Sequence, residues 1–281
     1  VNTARTVQVS RRLLLTAGAA LGAGLLTGCQ RAPEQAGPGA NALAAPPSSA
    51  ESQPVMTARN LSTGRYREVD VVIIRPEGAP PEPIPVCVAL HGGLAGAKVF
   101  LEYGLPRMLT DLVKAGTQPF AVAAVDGGNW VGNKDDDPQR MLDDDLPGWL
   151  SYHDLASTPF AVLGFGEGGS AALNQAKSPG FQAIAAIAPT LFSSWDSASR
   201  ARIFTDQAQW ERTEPMRHTV ELTNAPLGLW CGTEDNAYIE LARQLAQRAN
   251  AVKSSFTAGG HDDAYFKRVL PDALKFVAGY L

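Results

Sequence analysis

The stretch Ala161-Val162-Leu163-Gly164-Phe165-Gly166-Glu167-Gly168-Gly169-Ser170-Ala171-Ala172-Leu173 runs from an unbroken apolar segment through a glycine-rich turn into a small-residue helix start. An apolar run of strand length without polar alternation is the pattern of a strand covered on both faces. Two chemistries centre on such a strand, turn and helix. In a nucleophile elbow, Gly-x-Ser-x-Gly, small residues flank the nucleophile because the turn is too sharp for larger side chains. In a dinucleotide fingerprint, Gly-x-Gly-x-x-Gly, glycines let a pyrophosphate approach the helix N-terminus. Gly164, Gly166 and Gly169 match the second pattern literally.

The surrounding sequence separates the two. A dinucleotide site expects an acidic residue at the end of the next strand to hold the ribose hydroxyls. Here that strand ends in Ala188-Pro189-Thr190, and no acid follows until Asp196. The turn also lies mid-chain, not in the first βα unit. The elbow reading expects an acid after a later strand and a histidine after the last one. Asp235 follows Leu229-Trp230-Cys231-Gly232-Thr233, and His261 follows the run Ser254–Gly260 just before a C-terminal helix. Alone, His261 would read as a surface-loop histidine; its place in this order assigns it to the site. The neighbouring Glu234 is the rival acid, and the same ordering favours Asp235. Upstream, Ala89-Leu90-His91-Gly92-Gly93 ends an early strand where such sites place a second oxyanion donor. The backbone N–H of Gly93, or of Leu94, is expected to converge with that of Glu167 on a developing negative oxygen. His91 itself reads as structural.

Outward from the elbow, apolar runs bounded by turn residues predict strands at Glu68–Ile74, Pro85–Leu90, Phe120–Val125, Phe160–Phe165, Ala183–Ala188, Pro226–Cys231 and Ser254–Thr257. Helices fill the gaps, among them Gly168–Gln175, Ala237–Ala249 and Asp263–Tyr280. The alternation is that of an α/β fold with a mostly parallel central sheet flanked by helices. Residues 191–224 interrupt it and carry Trp195, Trp210 and His218. Such an excursion after a strand is either a cap over a pocket or a surface insertion. The acidic runs Asp135-Asp136-Asp137 and Asp143-Asp144-Asp145 lack the spacing of a calcium loop and read as solvated. Trp130 and Trp149 beside them fit either a pocket wall or the core.

The first residues have a different character. Ser10-Arg11-Arg12-Leu13-Leu14-Leu15 opens a short apolar run ending in Leu26-Thr27-Gly28-Cys29, the form of a twin-arginine-type signal with a lipobox over residues 1–29. Lipid carried by Cys29 would hold the chain on the outer face of the cytoplasmic membrane. Residues 30–54, rich in Ala, Pro, Ser, Gly and Gln, read as a tether without a core of their own, leaving 55–281 as the folded domain. The formal net charge of −4 gives no electrostatic reason to expect nucleic acid. Cys87 and Cys231 sit in apolar runs and read as small core hydrophobes, with a disulfide between them left open. No metal-ligand spacing is present, and nothing implies a cofactor.

From about Thr57 to Leu281 the sequence resembles the bacterial esterase D-like family of α/β-hydrolases, which includes the antigen 85 mycolyltransferases and related actinobacterial esterases. The matching segments are Leu90-His91-Gly92-Gly93, Val125-Asp126-Gly127-Gly128-Asn129, Asp137-Pro138, the elbow with Gly168-Gly169, Cys231-Gly232-Thr233-Glu234-Asp235 and Gly259-Gly260-His261-Asp262. The resemblance implies an α/β-hydrolase fold acting on acyl esters or lipid-like ligands, with Asp235 and His261 as triad members and Gly93 and Glu167 as oxyanion donors. It also implies serine where this chain has Gly166, so the expected site has no side-chain nucleophile at its tip. Ser170, in the first helical turn, should point away from the tip, and Glu167 should face solvent. Ligand binding without efficient turnover is the leading expectation, and turnover through activated water or a substitute nucleophile is the rival.

Overall fold

A computed structural model describes residues 54–93 and 95–281. The signal and lipobox with Cys29, nearly all of the tether, and Leu94 as an oxyanion candidate therefore lie outside the described residues. Eight strands are present: β1 Val55–Ser62, β2 Arg67–Ile74, β3 Val86–Leu90, β4 Ala121–Val125, β5 Ala161–Phe165, β6 Ala183–Ile187, β7 Leu227–Gly232 and β8 Lys253–Thr257. Among the described residues nine α-helices accompany them: α1 Val99–Glu102, α2 Leu105–Lys114, α3 Pro138–Arg140, α4 Leu146–Tyr152, α5 Glu167–Asn174, α6 Trp195–Ala201, α7 Gln207–Thr213, α8 Ile239–Arg248 and α9 Asp263–Ala278. Among the described residues no helix is long and apolar enough to cross a membrane.

The strands form one sheet in the order β1-β2-β4-β3-β5-β6-β7-β8. Pairing is parallel from β4 through β8, whereas β1 and β2 add an antiparallel edge. Strands β3 to β7 are buried at every residue, which is why they read as unbroken apolar runs. Strand β1 was not expected from the sequence. Val-Met-Thr-Ala-Arg-Asn-Leu-Ser alternates and is half exposed, as an edge strand can be, and Arg59 pairs with Asp70 across the hairpin at 2.8 Å.

The chain leaves β3 toward β4 and then crosses back to β5, so the strand order reverses between β3 and β5. In open α/β sheets the crevice beyond the carboxyl ends of strands at such a reversal is where ligands bind. One side of the sheet is closed by α9, which buries Tyr265, Phe266, Val269, Leu270, Ala273, Leu274 and Val277 on one face. The Asp262 carboxylate caps it by accepting from the Tyr265 N–H at 2.8 Å, fixing the helix start two residues after His261.

The acidic runs are not simply solvated. Asp145 accepts from the Ser62 hydroxyl at 2.6 Å, the Thr63 hydroxyl at 2.7 Å and the Thr63 N–H at 2.9 Å, pinning the β1–β2 turn. Asp136 pairs with the buried Arg65, which also donates to the Gly127 carbonyl. Asp137 caps α3, while Asp135, Asp143 and Asp144 are exposed. The buried guanidinium took Asp136 as its carboxylate partner, and the turn's N–H and O–H groups took Asp145.

Candidate active site

The turn after β5 is sharp. Gly166 has φ +57° and ψ −125°, a region costly for any residue with a Cβ, and it caps α5. The packing around this turn explains the neighbouring small residues. A Cβ on Gly164 would lie 2.1 Å from the Gly168 carbonyl oxygen, and one on Gly168 would lie 2.2 Å from the Leu90 oxygen. Gly164 is buried against α5, and the Thr190 N–H donates to the Gly166 oxygen at 3.1 Å. These contacts fit an elbow.

Three loops meet above the elbow. His261, on the loop after β8, directs Nδ1 to Asp235 Oδ2 at 2.9 Å. Asp235 is buried and stands on the loop after β7, where its other oxygen faces the Tyr238 N–H at 3.3 Å. The two loops are stitched together by Glu234 N–H to the Gly259 oxygen and Thr233 N–H to the Thr257 oxygen, both at 2.9 Å. His261 lies between the rings of Tyr238 and Phe266, at centroid distances of 5.0 and 5.2 Å. Its Nε2 points to the elbow tip: a Cβ on Gly166 would sit 3.4 Å from that nitrogen. Glu234, the rival acid, is exposed.

The third loop follows β3. The Gly92 Cα would lie 3.6 Å from the same Cβ position, placing this loop over the elbow. Among the described residues neither the Gly93 nor the Glu167 N–H has an acceptor. His91 is buried, accepts from the Gly127 N–H at 2.9 Å through Nε2, and is held below its ordinary pKa mainly by burial. It is a neutral structural group that anchors the loop. The Trp130 indole donates to the His91 oxygen at 2.7 Å, whereas Trp149 packs half-buried against the core.

Ser170 turns away from the tip, as expected, and its hydroxyl donates to the Thr190 oxygen at 2.5 Å. Glu167 departs from expectation. It is half-buried, and burial pushes its carboxyl above the ordinary glutamate range, with His261 acting in the opposite sense. The reason is residues 191–224, which fold over α5 and cover it. This insertion has its own small core of Phe192, Ala198 and Trp210. With Trp130 and α5 it lines a narrow cleft, to which Glu167 and Glu214 both contribute. A pocket-bordering cap therefore describes the insertion better than a plain surface excursion.

Glu214 carried no sequence signal. It is a buried carboxylate in a polar helical stretch, accepting from the Trp210 indole and the Phe192 N–H at 3.1 Å each and from the Met216 N–H at 3.2 Å. Burial raises its pKa to about 7 despite these bonds. His218 ties the same insertion together through the Glu211 oxygen at 2.9 Å. Cys87 and Cys231 are free and buried, and the Cys231 thiol, pushed up to about 12 mainly by burial, lies 3.6 Å from Asp235 Oδ2. Among the described residues no group of three metal-ligating side chains comes together.

No known family model matches the chain. No curated protein does either. Solved structures do. A ferulic acid esterase superposes with a TM-score of 0.67 at 21% identity, over 80% of this chain and 97% of that one. An S-formylglutathione hydrolase from Agrobacterium tumefaciens gives 0.64 at 18%, over 83% and 98%. A thermostable esterase from Pseudomonas putida gives 0.56 at 17%, over 83% and 85%. The chain has the α/β-hydrolase fold.

Proposed function

We propose that this chain binds a small carboxylic ester, or the matching acid, at the mouth above the elbow, as a relative of carboxylic-ester hydrolases that has lost its nucleophile. The observation that carries the reading is the pairing of Asp235 with His261 and the aim of His261 Nε2 at Gly166. In a serine hydrolase the imidazole takes the proton of the attacking hydroxyl, and the carboxylate holds the ring in the tautomer that can do so. Here Asp235 and His261 keep that arrangement, but the elbow offers no hydroxyl. The N–H groups of Glu167 and Gly93 remain able to receive the oxygen of a carbonyl or carboxylate. The names of the similar structures, two esterases and an S-formylglutathione hydrolase, support the ligand class. The site needs no cofactor for this role, and its acidic surroundings do not suit nucleic acid.

The test is equilibrium binding of methyl butyrate and butyrate to the natural chain, with hydrolysis followed in the same samples. Binding with turnover no faster than in His261→Ala is the expected outcome. Turnover that falls in His261→Ala would show that the histidine activates water or an unrecognised nucleophile, and would overturn the reading.

We further propose that the chain is exported and lipid-linked at Cys29. The paired Arg11-Arg12, the short apolar run and Leu26-Thr27-Gly28-Cys29 support this. In a bacterial host with lipoprotein processing, a labelled fatty acid should be incorporated into the natural chain and not into Cys29→Ser. Equal incorporation into both would remove the anchor from the account.

A further inference from the structure

The cleft under the insertion has a polarity that the ester-binding reading leaves unused. Its walls are aromatic and aliphatic, with Trp130, Phe192, Ile203 and Phe204 facing it. Its polar groups are acceptors. Glu167 and Glu214 both line it. Asn174 also lines the cleft, and its Oδ1 is buried without a hydrogen-bond partner while its amide nitrogen donates to the Thr213 oxygen at 2.8 Å. Of the three hydroxyls that line it, Ser170 donates to the Thr190 oxygen and Thr213 to the Gln209 oxygen at 2.9 Å, while the Thr190 side chain pairs with Tyr238. No lysine, arginine or histidine lines this cleft.

A buried acceptor left without a donor costs about 1–3 kcal/mol, so such a lining favours an occupant that brings its own N–H groups. A hydroxyl brings one donor and no charge. An ammonium brings three donors and a positive charge for the two carboxylates, and aromatic walls favour it further. We propose that the cleft binds the protonated amine of an amine-bearing acyl ligand, whose ester or carboxyl end lies at His261. The inference rests on the ester-binding reading for that second end and extends it by naming the ligand class.

The experiment uses the full chain at pH 8, where an alkylamine is protonated. Binding of n-butylammonium and of butan-1-ol is measured by tryptophan fluorescence, Trp130 lining the cleft, and by calorimetry. The ammonium should bind at least about tenfold more tightly than the alcohol, which corresponds to about 1.4 kcal/mol. Glu167→Gln, which keeps the shape of a half-buried side chain, should remove most of that preference. Asn174→Lys, which sets a fixed ammonium in the cleft, should abolish ammonium binding. Equal binding of the two probes, or a preference untouched by both substitutions, would overturn the inference. If methyl butyrate binds while the ammonium preference is missing, the cleft proposal fails and the ester site stands. If the preference is present but no ester or acid binds, the ester-binding reading fails, and with it the assignment of the ligand's second end to His261.

Discussion

Gly166→Ser is expected to hydrolyse short acyl esters at least about a thousandfold faster than the natural chain, since loss of a triad serine removes on the order of a millionfold in turnover. The geometry leaves room for the change. A Cβ at this position meets His261 Nε2 at 3.4 Å and the Gly92 Cα at 3.6 Å, both ordinary contacts. A hydroxyl one bond further comes within hydrogen-bonding reach of the imidazole. The backbone sets the opposing effect, because φ +57° with ψ −125° strains any residue but glycine. A stability loss of about 1–3 kcal/mol should accompany the gain in rate. Chromogenic butyrate hydrolysis and chemical unfolding of the same preparations measure both. In the serine background, Asp235→Asn should lower turnover by roughly ten-thousandfold by favouring the wrong imidazole tautomer. A folded Gly166→Ser chain with no gain would show that the three loops do not form a competent hydrolytic site.

The second large effect concerns Glu214 and pH. Its folded pKa of about 7 stands above the 4.5 of an unperturbed glutamate, so between these values the folded chain holds a proton that the unfolded chain has released. Folding stability from this group is therefore complete below pH 4.5, falls as pH rises toward 7, and levels off above. The shift corresponds to a loss on the order of 3 kcal/mol across that window. Other groups titrate nearby, including the buried His91, whose lowered pKa acts in the opposite direction. The quantity to measure is thus the stability of the natural chain relative to Glu214→Gln, by urea unfolding from pH 4.5 to 8. Arg217, Lys177 and Tyr238 are the charged or titratable neighbours that interact with Glu214, and all persist in the variant. Parallel stability curves would show that the carboxyl is not held neutral by its burial.

What the sequence disclosed follows from how each element meets solvent. Strands β3 to β7 are covered on both faces, so their apolar runs stand out without any partner being known. The elbow, Asp235 and His261 could be placed because strand ends and chain order fix where such groups stand, whatever the intervening loops do. The edge strand β1 escaped because one side of it needs no apolar cover. The burial of Glu167 and Glu214 was illegible for a different reason. It depends on how residues 191–224 fold back over α5, a long-range contact with no periodic trace. Likewise the partners of Arg65 and Asp145 are side chains brought together by the β1–β2 turn, and a run of aspartates gives no sign of which will be drawn inward.

The antiparallel edge also sets the direction from which the domain is approached. Val55 pairs with Ile74, and Ile74 pairs with Val122 at the beginning of β4. The chain thus enters the sheet at the pole where the parallel strands start, and Gly93, Gly166, Asp235 and His261 follow the ends of theirs at the other pole. The described chain therefore begins at one pole of the sheet, and the candidate site stands at the other, so a change at the first residues of β1 acts on the site only through the sheet between them.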